Sequence, residues 1–145
     1  MSVQWIRHDH RLDVELAVAF DTAGRLLTRA RSPRQLDQAI VFNLRLWREV
    51  RRLAERCPTL ADRDELADAA DHVATMLVVD ASPCPDPRDI AFVAGRNLAL
   101  AGDLAGTTAA ARCRDALLAE WGRGGGHQFE EWLLARLAAC SCPPG

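Results

Sequence analysis

The sequence predicts an all-α protein, a compact helical bundle of four main helices followed by one or two C-terminal helices. Apolar residues recur at steps of three and four in every long segment, which is the period of an α-helix. Serine or aspartate stands where these segments begin, and proline or glycine stands where they end. No segment of the 145-residue chain shows the alternation that is typical of a strand.

The first two predicted helices cover about residues 9–30 and 32–57. Gly24 lies inside the first and weakens it by about 1 kcal/mol relative to alanine. The second has Ser32 as its N-cap, Pro33 at its first position and Gln35 completing an S-x-x-Q capping box, and Pro58 ends it. Its apolar face is wide, which predicts burial against other helices or a partner.

The third and fourth helices are predicted on either side of a proline-rich loop at residues 80–87. Asp62 and Glu65 form a D-x-x-E start for the third helix. Asp86 caps the fourth, with Pro87 at its first position, and glycines at 102 and 106 mark where it can end.

The composition changes after residue 106, so we divide the chain into a helical domain at 1–106 and a C-terminal helical extension at 107–145. The extension has a short helix at 107–121, a glycine-rich joint at 122–126 and a last amphipathic helix at 127–139. Because the joint cannot hold a fixed angle by itself, we expect a movable lid or a second docking element. Its deletion should leave a folded core.

Charge and composition exclude some classes of function. The net charge is −2 and the pI is near 6.1, which argues against nucleic acid as the main ligand. All 18 basic residues are arginine, which we interpret as the bias of a GC-rich genome. No apolar run reaches the ~18 residues of a membrane span, and charges interrupt the N-terminus where a signal peptide would be apolar. We expect a cytoplasmic protein, with its five cysteines as free thiols.

No catalytic or metal-binding set is visible. Of four histidines, only His72 lies within the helical body, where a structural role is favoured over a catalytic one. His8 and His10, like Cys140 and Cys142, lack further ligands at a usual spacing. We therefore expect no enzyme activity, no metal and no cofactor; a small metal-binding or enzymatic helical protein is the third alternative.

Polar side chains on the second and fourth helices have two interpretations each. Asn43 and Asn97 lie on apolar stripes, where a buried amide either ties helices together or helps to shape a groove for a partner. The second helix also carries an arginine stripe, which either pairs with acidic neighbours such as Glu49 and Glu55 or holds RNA or an acidic partner. The stripe comprises Arg45, Arg48, Arg52 and Arg56.

Two stretches of the chain resemble the flagellar biosynthesis regulator FlaF family of alphaproteobacteria. The first is Phe42-Asn43-Leu44-Arg45-Leu46-Trp47, which is similar to the family's F-N-x-x-L-W core, with a similar opening at 32–36 and a similar loop at 57–60. The second is residues 90–102, which resembles I-x-x-N-R-x-I-A-x-G-L, with Gly95 in place of the asparagine and Gly102 one position after the pattern's glycine. The resemblance covers about residues 9–106.

The resemblance implies a non-enzymatic protein that binds flagellin in the cytoplasm and promotes its production and export, in opposition to the FlbT regulator. Flagellin's terminal segments would dock as helices in a groove. The residues expected to contact the partner are Phe42, Asn43, Leu46, Trp47, Arg96 and Asn97. The alternatives are that the chain is a helical adaptor for another protein, and that Trp47 is part of the core.

Overall fold

The fold is an all-helical bundle of six helices, which confirms the predicted class. The structure is a computed structural model that describes residues 8–60, 62–77, 85–105, 107–123, 128–140 and 142; these ranges contain no strand. The predicted loop at 80–87 and the glycine-rich joint lie mostly outside them, as do Cys84 and the side chains of His8 and His10. The helices are α1 (His8–Arg29), α2 (Pro33–Arg56), α3 (Arg63–Leu77), α4 (Pro87–Ala105), α5 (Thr107–Gly122) and α6 (Phe129–Ala139).

Helices α2 and α4 begin where local hydrogen bonding predicts. Ser32 Oγ accepts a bond from the Gln35 amide at 3.1 Å, as the capping box requires. The return bond is displaced by one residue, because Gln35 Oε1 accepts from the Arg31 amide at 2.7 Å instead of from that of Ser32. Asp86 Oδ1 accepts from the Arg88 amide at 2.8 Å at the start of α4.

Helix α1 lies at the centre of the bundle and packs against α2, α4, α5 and α6. Its closest neighbour is α4, and Gly24 makes that approach possible. A Cβ at position 24 would lie 2.7 Å from Leu98 Cγ and 3.1 Å from the Ala94 carbonyl oxygen, so a side chain has no room there. The helix-weakening glycine that the sequence shows is therefore a requirement of packing between α1 and α4.

The C-terminal helices pack into the bundle. Leu134 and Leu137 of α6 belong to the same buried cluster as the apolar residues of α1 and α2. A second, smaller cluster packs α1, α5 and α6 together through Val18, Leu117, Phe129 and Leu133. A boundary at residue 106 stays a prediction, but α6 contributes to the core, and its removal would expose apolar surface that the bundle buries.

An ion pair and a disulfide attach the C-terminal end of α6 to the bundle. Arg136 donates to Glu15 Oε1 of α1 from Nε at 2.8 Å, and the Glu15 side chain is 1% exposed. Cys57, just after α2, is bonded to Cys142, with the Cα atoms 5.3 Å apart. The expectation of five free thiols is wrong for this pair, because proximity across 85 residues depends on helix packing that spacing does not reveal. Cys113 is a free thiol.

Candidate functional site

The residues that the resemblance marks for partner binding are mostly buried. Leu46, Asn43 and Asn97 are fully buried, Trp47 is 1% exposed and Phe42 is 5% exposed. The Trp47 ring packs against Phe20 of α1, with 5.0 Å between ring centroids. Partner binding by these five residues stays a prediction. In the folded chain their side chains are buried among the helices of the same bundle.

Three of these residues form one buried chain of hydrogen bonds across α1, α2 and α4. Trp47 Nε1 donates to Asn97 Oδ1 at 3.0 Å, and Asn97 Nδ2 donates to Asn43 Oδ1 at 2.5 Å. Asn43 Nδ2 then donates to two backbone carbonyls, Ala39 at 2.8 Å within α2 and Ala23 at 3.2 Å on α1. The side-chain oxygen and nitrogen of both Asn43 and Asn97 have hydrogen-bond partners. The interpretation that these two residues tie helices together is therefore confirmed.

Arg96 is the exception among the six, because it is half-exposed on α4. Its Cζ atom lies 6.0 Å from the ring centroid of Phe92, which is 51% exposed. The ring of His72 on α3 lies 6.0 Å from the same ring in an edge-on arrangement. His72 is thus an exposed neighbour of an aromatic residue, and it lies at the surface of the bundle.

A groove of about 870 Å³ opens between α1, α2 and the facing ends of α5 and α6. Its apolar lining includes Phe42, the one predicted partner residue that reaches it, and Val41, which is 53% exposed. Val41 and Phe92 are the two large apolar side chains that the described part of the chain leaves exposed. Further lining residues are Thr22, Arg25, Leu26, Arg29, Arg45, Arg114, Trp121 and Phe129.

Three arginines of the α2 stripe have partners within the molecule, and Arg52 pairs with an acidic neighbour on its own helix as the first interpretation predicts. Arg45 Nη2 donates to Glu131 Oε1 at 3.0 Å, and its Nη1 donates to the other oxygen. Hydrogen bonding to Glu131 raises the pKa of the Arg45 guanidinium. Arg52 bonds Glu49 at 3.4 Å. Arg56 donates to the carbonyls of Ala138 and Cys140, where α6 ends.

Two polar atoms on the wall of the groove have no hydrogen-bond partner among the described residues. One is the Thr22 hydroxyl, on a residue that is 3% exposed, and the other is Arg114 Nε. Asp21, next to Thr22 in α1, accepts from Arg25 at 2.8 Å, and its Oδ2 is 3.9 Å from Arg114 Nε. Sequence reasoning missed this group because Arg114 approaches Asp21 only through packing of α5 on α1.

The described residues form an open groove beside a hydrogen-bonded core. Within the described ranges, no three His, Cys, Asp or Glu side chains are grouped so that they could hold a metal ion. None of the helices described is long and apolar enough to cross a membrane. Compared with models of known families, with curated proteins and with solved structures, the chain matches none.

Proposed function

We propose that this protein is a non-enzymatic flagellar biosynthesis regulator that binds flagellin and acts as its export chaperone. The observation that carries the proposal is where the resemblance lies in the fold. Its two stretches, on α2 and α4, are joined by the bonds among Trp47, Asn97 and Asn43. Trp47 and Asn43 bond Asn97 across separations of 50 and 54 positions in the sequence. A structural contact between the two similar stretches supports the view that the similarity is more than a chance match to a short motif.

The proposed mechanism is helix-in-groove binding. Flagellin's terminal segments would form an amphipathic helix on binding. The bundle would shield the apolar face of that helix. Such binding needs no catalytic group and no cofactor. The resemblance also implies a functional link to a FlbT-like regulator as a second partner.

The direct test is binding of purified monomeric flagellin from the same bacterium, measured by isothermal titration calorimetry. Full-length flagellin should bind with a dissociation constant in the micromolar range or below, which corresponds to about −8 kcal/mol. Flagellin that lacks its terminal segments is the matched control and should not bind. If intact flagellin shows no binding, the proposal fails and an adaptor for another protein takes its place.

We propose that the protein acts in the cytoplasm, where reducing conditions would oppose the Cys57–Cys142 disulfide that the structure contains. The disulfide would then form on oxidation, with α6 still held by its core leucines and by Arg136. Because Cys57 is buried, cells should be quenched with acid and the protein alkylated in denaturant, which should label all five cysteines. Protection of Cys57 and Cys142 in freshly quenched cells would contradict this location.

A further inference from the structure

We infer that Cys57 and Cys142 form a redox switch that controls how readily α6 leaves the bundle. In the oxidised protein the disulfide joins the end of α2 to the segment that follows α6. In the reduced protein non-covalent contacts alone hold α6, and the helix opens more often. The inference goes beyond the proposed function, because it concerns this chain by itself and holds for any partner.

The two cysteines differ in their access to solvent. Cys57 follows α2 directly as its C-cap, where its amide donates to the Leu53 carbonyl at 2.8 Å, and the residue is fully buried. Cys142 lies two positions after Cys140, the C-cap of α6, and is partly exposed. A small oxidant or reductant can therefore reach the bond from the side of Cys142.

Non-covalent contacts hold the two cysteines near each other independently of the bond. Arg56, the last residue of α2, donates from Nη1 to the Ala138 carbonyl at 3.4 Å and from Nη2 to the Cys140 carbonyl at 3.3 Å. Leu137 of α6 is fully buried in the main core cluster. Because these contacts need no disulfide, the thiols of the reduced protein stay in position to react, and oxidation needs no refolding.

The bond acts on α6 because this helix depends on its contacts with the rest of the chain. It has 11 residues, and an isolated helix of that length is unstable in water. Short elements near a chain end open locally at a lower free energy than the whole domain. Ala139, the last residue of α6, is three positions from Cys142 and can lie at most about 10 Å from it. The disulfide therefore keeps this end of α6 beside α2.

Oxidation balances with a low-molecular-weight disulfide such as glutathione disulfide. The Cys142 thiolate attacks one sulfur of glutathione disulfide, and one glutathione leaves. The Cys57 thiolate then attacks the Cys142 sulfur of this mixed disulfide, so that the protein disulfide forms and the second glutathione leaves. The two protein thiols lose two electrons and two protons in total, and the two glutathione molecules gain them. Excess reduced glutathione reverses both steps.

Amide hydrogen exchange of the full-length protein, followed by NMR, tests the switch. It compares protein oxidised with glutathione disulfide and protein reduced with dithiothreitol. In the reduced protein the amides of Leu134 and Leu137 in α6 should have protection factors at least tenfold lower than those of Leu46 and Val50 in α2, because α6 opens locally. In the oxidised protein the four protection factors should agree within about threefold, since α6 then opens only with the whole domain.

The competing explanation is that the bond acts only on the unfolded chain, by restricting its conformations. Oxidation would then raise the protection of α2 and α6 by the same factor, and this result would overturn the inference. Cys142→Ser should give the reduced pattern in both buffers, whereas Cys113→Ser, which removes the free thiol of α5, should respond like the wild type. Peptide mapping of the oxidised protein should find Cys57 linked to Cys142, and a different pairing would also overturn the inference.

A second pair of variants tests how the cysteines are positioned. Arg56→Met removes the donors to the carbonyls at the end of α6. It should lower the equilibrium constant for disulfide formation against glutathione about two- to tenfold, the equivalent of one hydrogen bond. Arg52→Met is the matched control, since Arg52 lies one turn earlier on α2 and bonds Glu49, and its constant should equal that of the wild type. An unchanged constant in Arg56→Met would overturn the role of Arg56 in positioning the two sulfurs.

Discussion

Replacing Asn97 by leucine should destabilise the protein by about 2–6 kcal/mol, although the two side chains are similar in size. Asn97 is fully buried and bonds two other buried groups, Trp47 Nε1 and Asn43 Oδ1. Leucine would leave both without a partner, and each such group costs about 1–3 kcal/mol. Because a domain of this size is stable by only about 5–15 kcal/mol, the loss should be large.

Urea unfolding followed by far-UV circular dichroism measures this loss without relying on tryptophan fluorescence, which the next variant alters. Ala99→Leu, at an exposed position of the same helix, is the control and should change stability by less than about 0.5 kcal/mol. Both variants should be compared with the wild type in the same redox buffer.

A double-mutant cycle with Trp47→Phe identifies the bond itself. Phenylalanine has no indole N–H, so in the Asn97→Leu background there is no donor left to be unsatisfied. The double variant should be less destabilised than the sum of the two single variants by about 1 kcal/mol or more. Strict additivity, or a cost below about 1 kcal/mol for Asn97→Leu, would refute the reasoning. Flagellin affinity that falls more than the unfolded fraction explains would instead favour a binding role for Trp47.

Three further perturbations test the packing of α1, α4 and α6. Gly24→Ala should destabilise the protein by about 1–3 kcal/mol despite alanine's higher helix propensity. Gly95→Ala is the control: it has open space around it and should stabilise the protein by about 0.5–1 kcal/mol. Equal shifts in melting temperature would contradict the close approach of α1 and α4 at Gly24. Arg136→Met should lower the free energy of urea unfolding by up to about 3–5 kcal/mol, because the buried Glu15 charge loses this partner. Adding Glu15→Gln should restore part of the lost stability. No restoration would count against the ion pair. Cys142→Ser should lower stability by about 2–4 kcal/mol in oxidised protein and by much less under a reductant, so an equal loss in both buffers would mean that the bond does not cause the effect.

The site was only partly predictable from the sequence. The position of Asn43 and Asn97 on apolar stripes indicated that they are buried and bonded, because a helix places residues three and four apart on one face. Tying helices together is one of the two interpretations that this position on the apolar stripes allows. The groove was not visible in the sequence, since Thr22, Val41 and Arg114 come from three helices and have no common spacing.

Local sequence determined the helices and their starts. The periodicity that marks α1 to α4 and the bonds made by Ser32 and Asp86 involve residues at most four apart, so no distant part of the chain is needed to specify them. Tertiary structure alone decided that Gly24 faces α4, that Glu15 pairs with Arg136 across 121 positions and that Cys57 meets the C-terminal segment. The physical reason is that the choice of neighbours for each helix comes from the sum of many small burial energies over whole helix faces, and no single residue or spacing carries that sum.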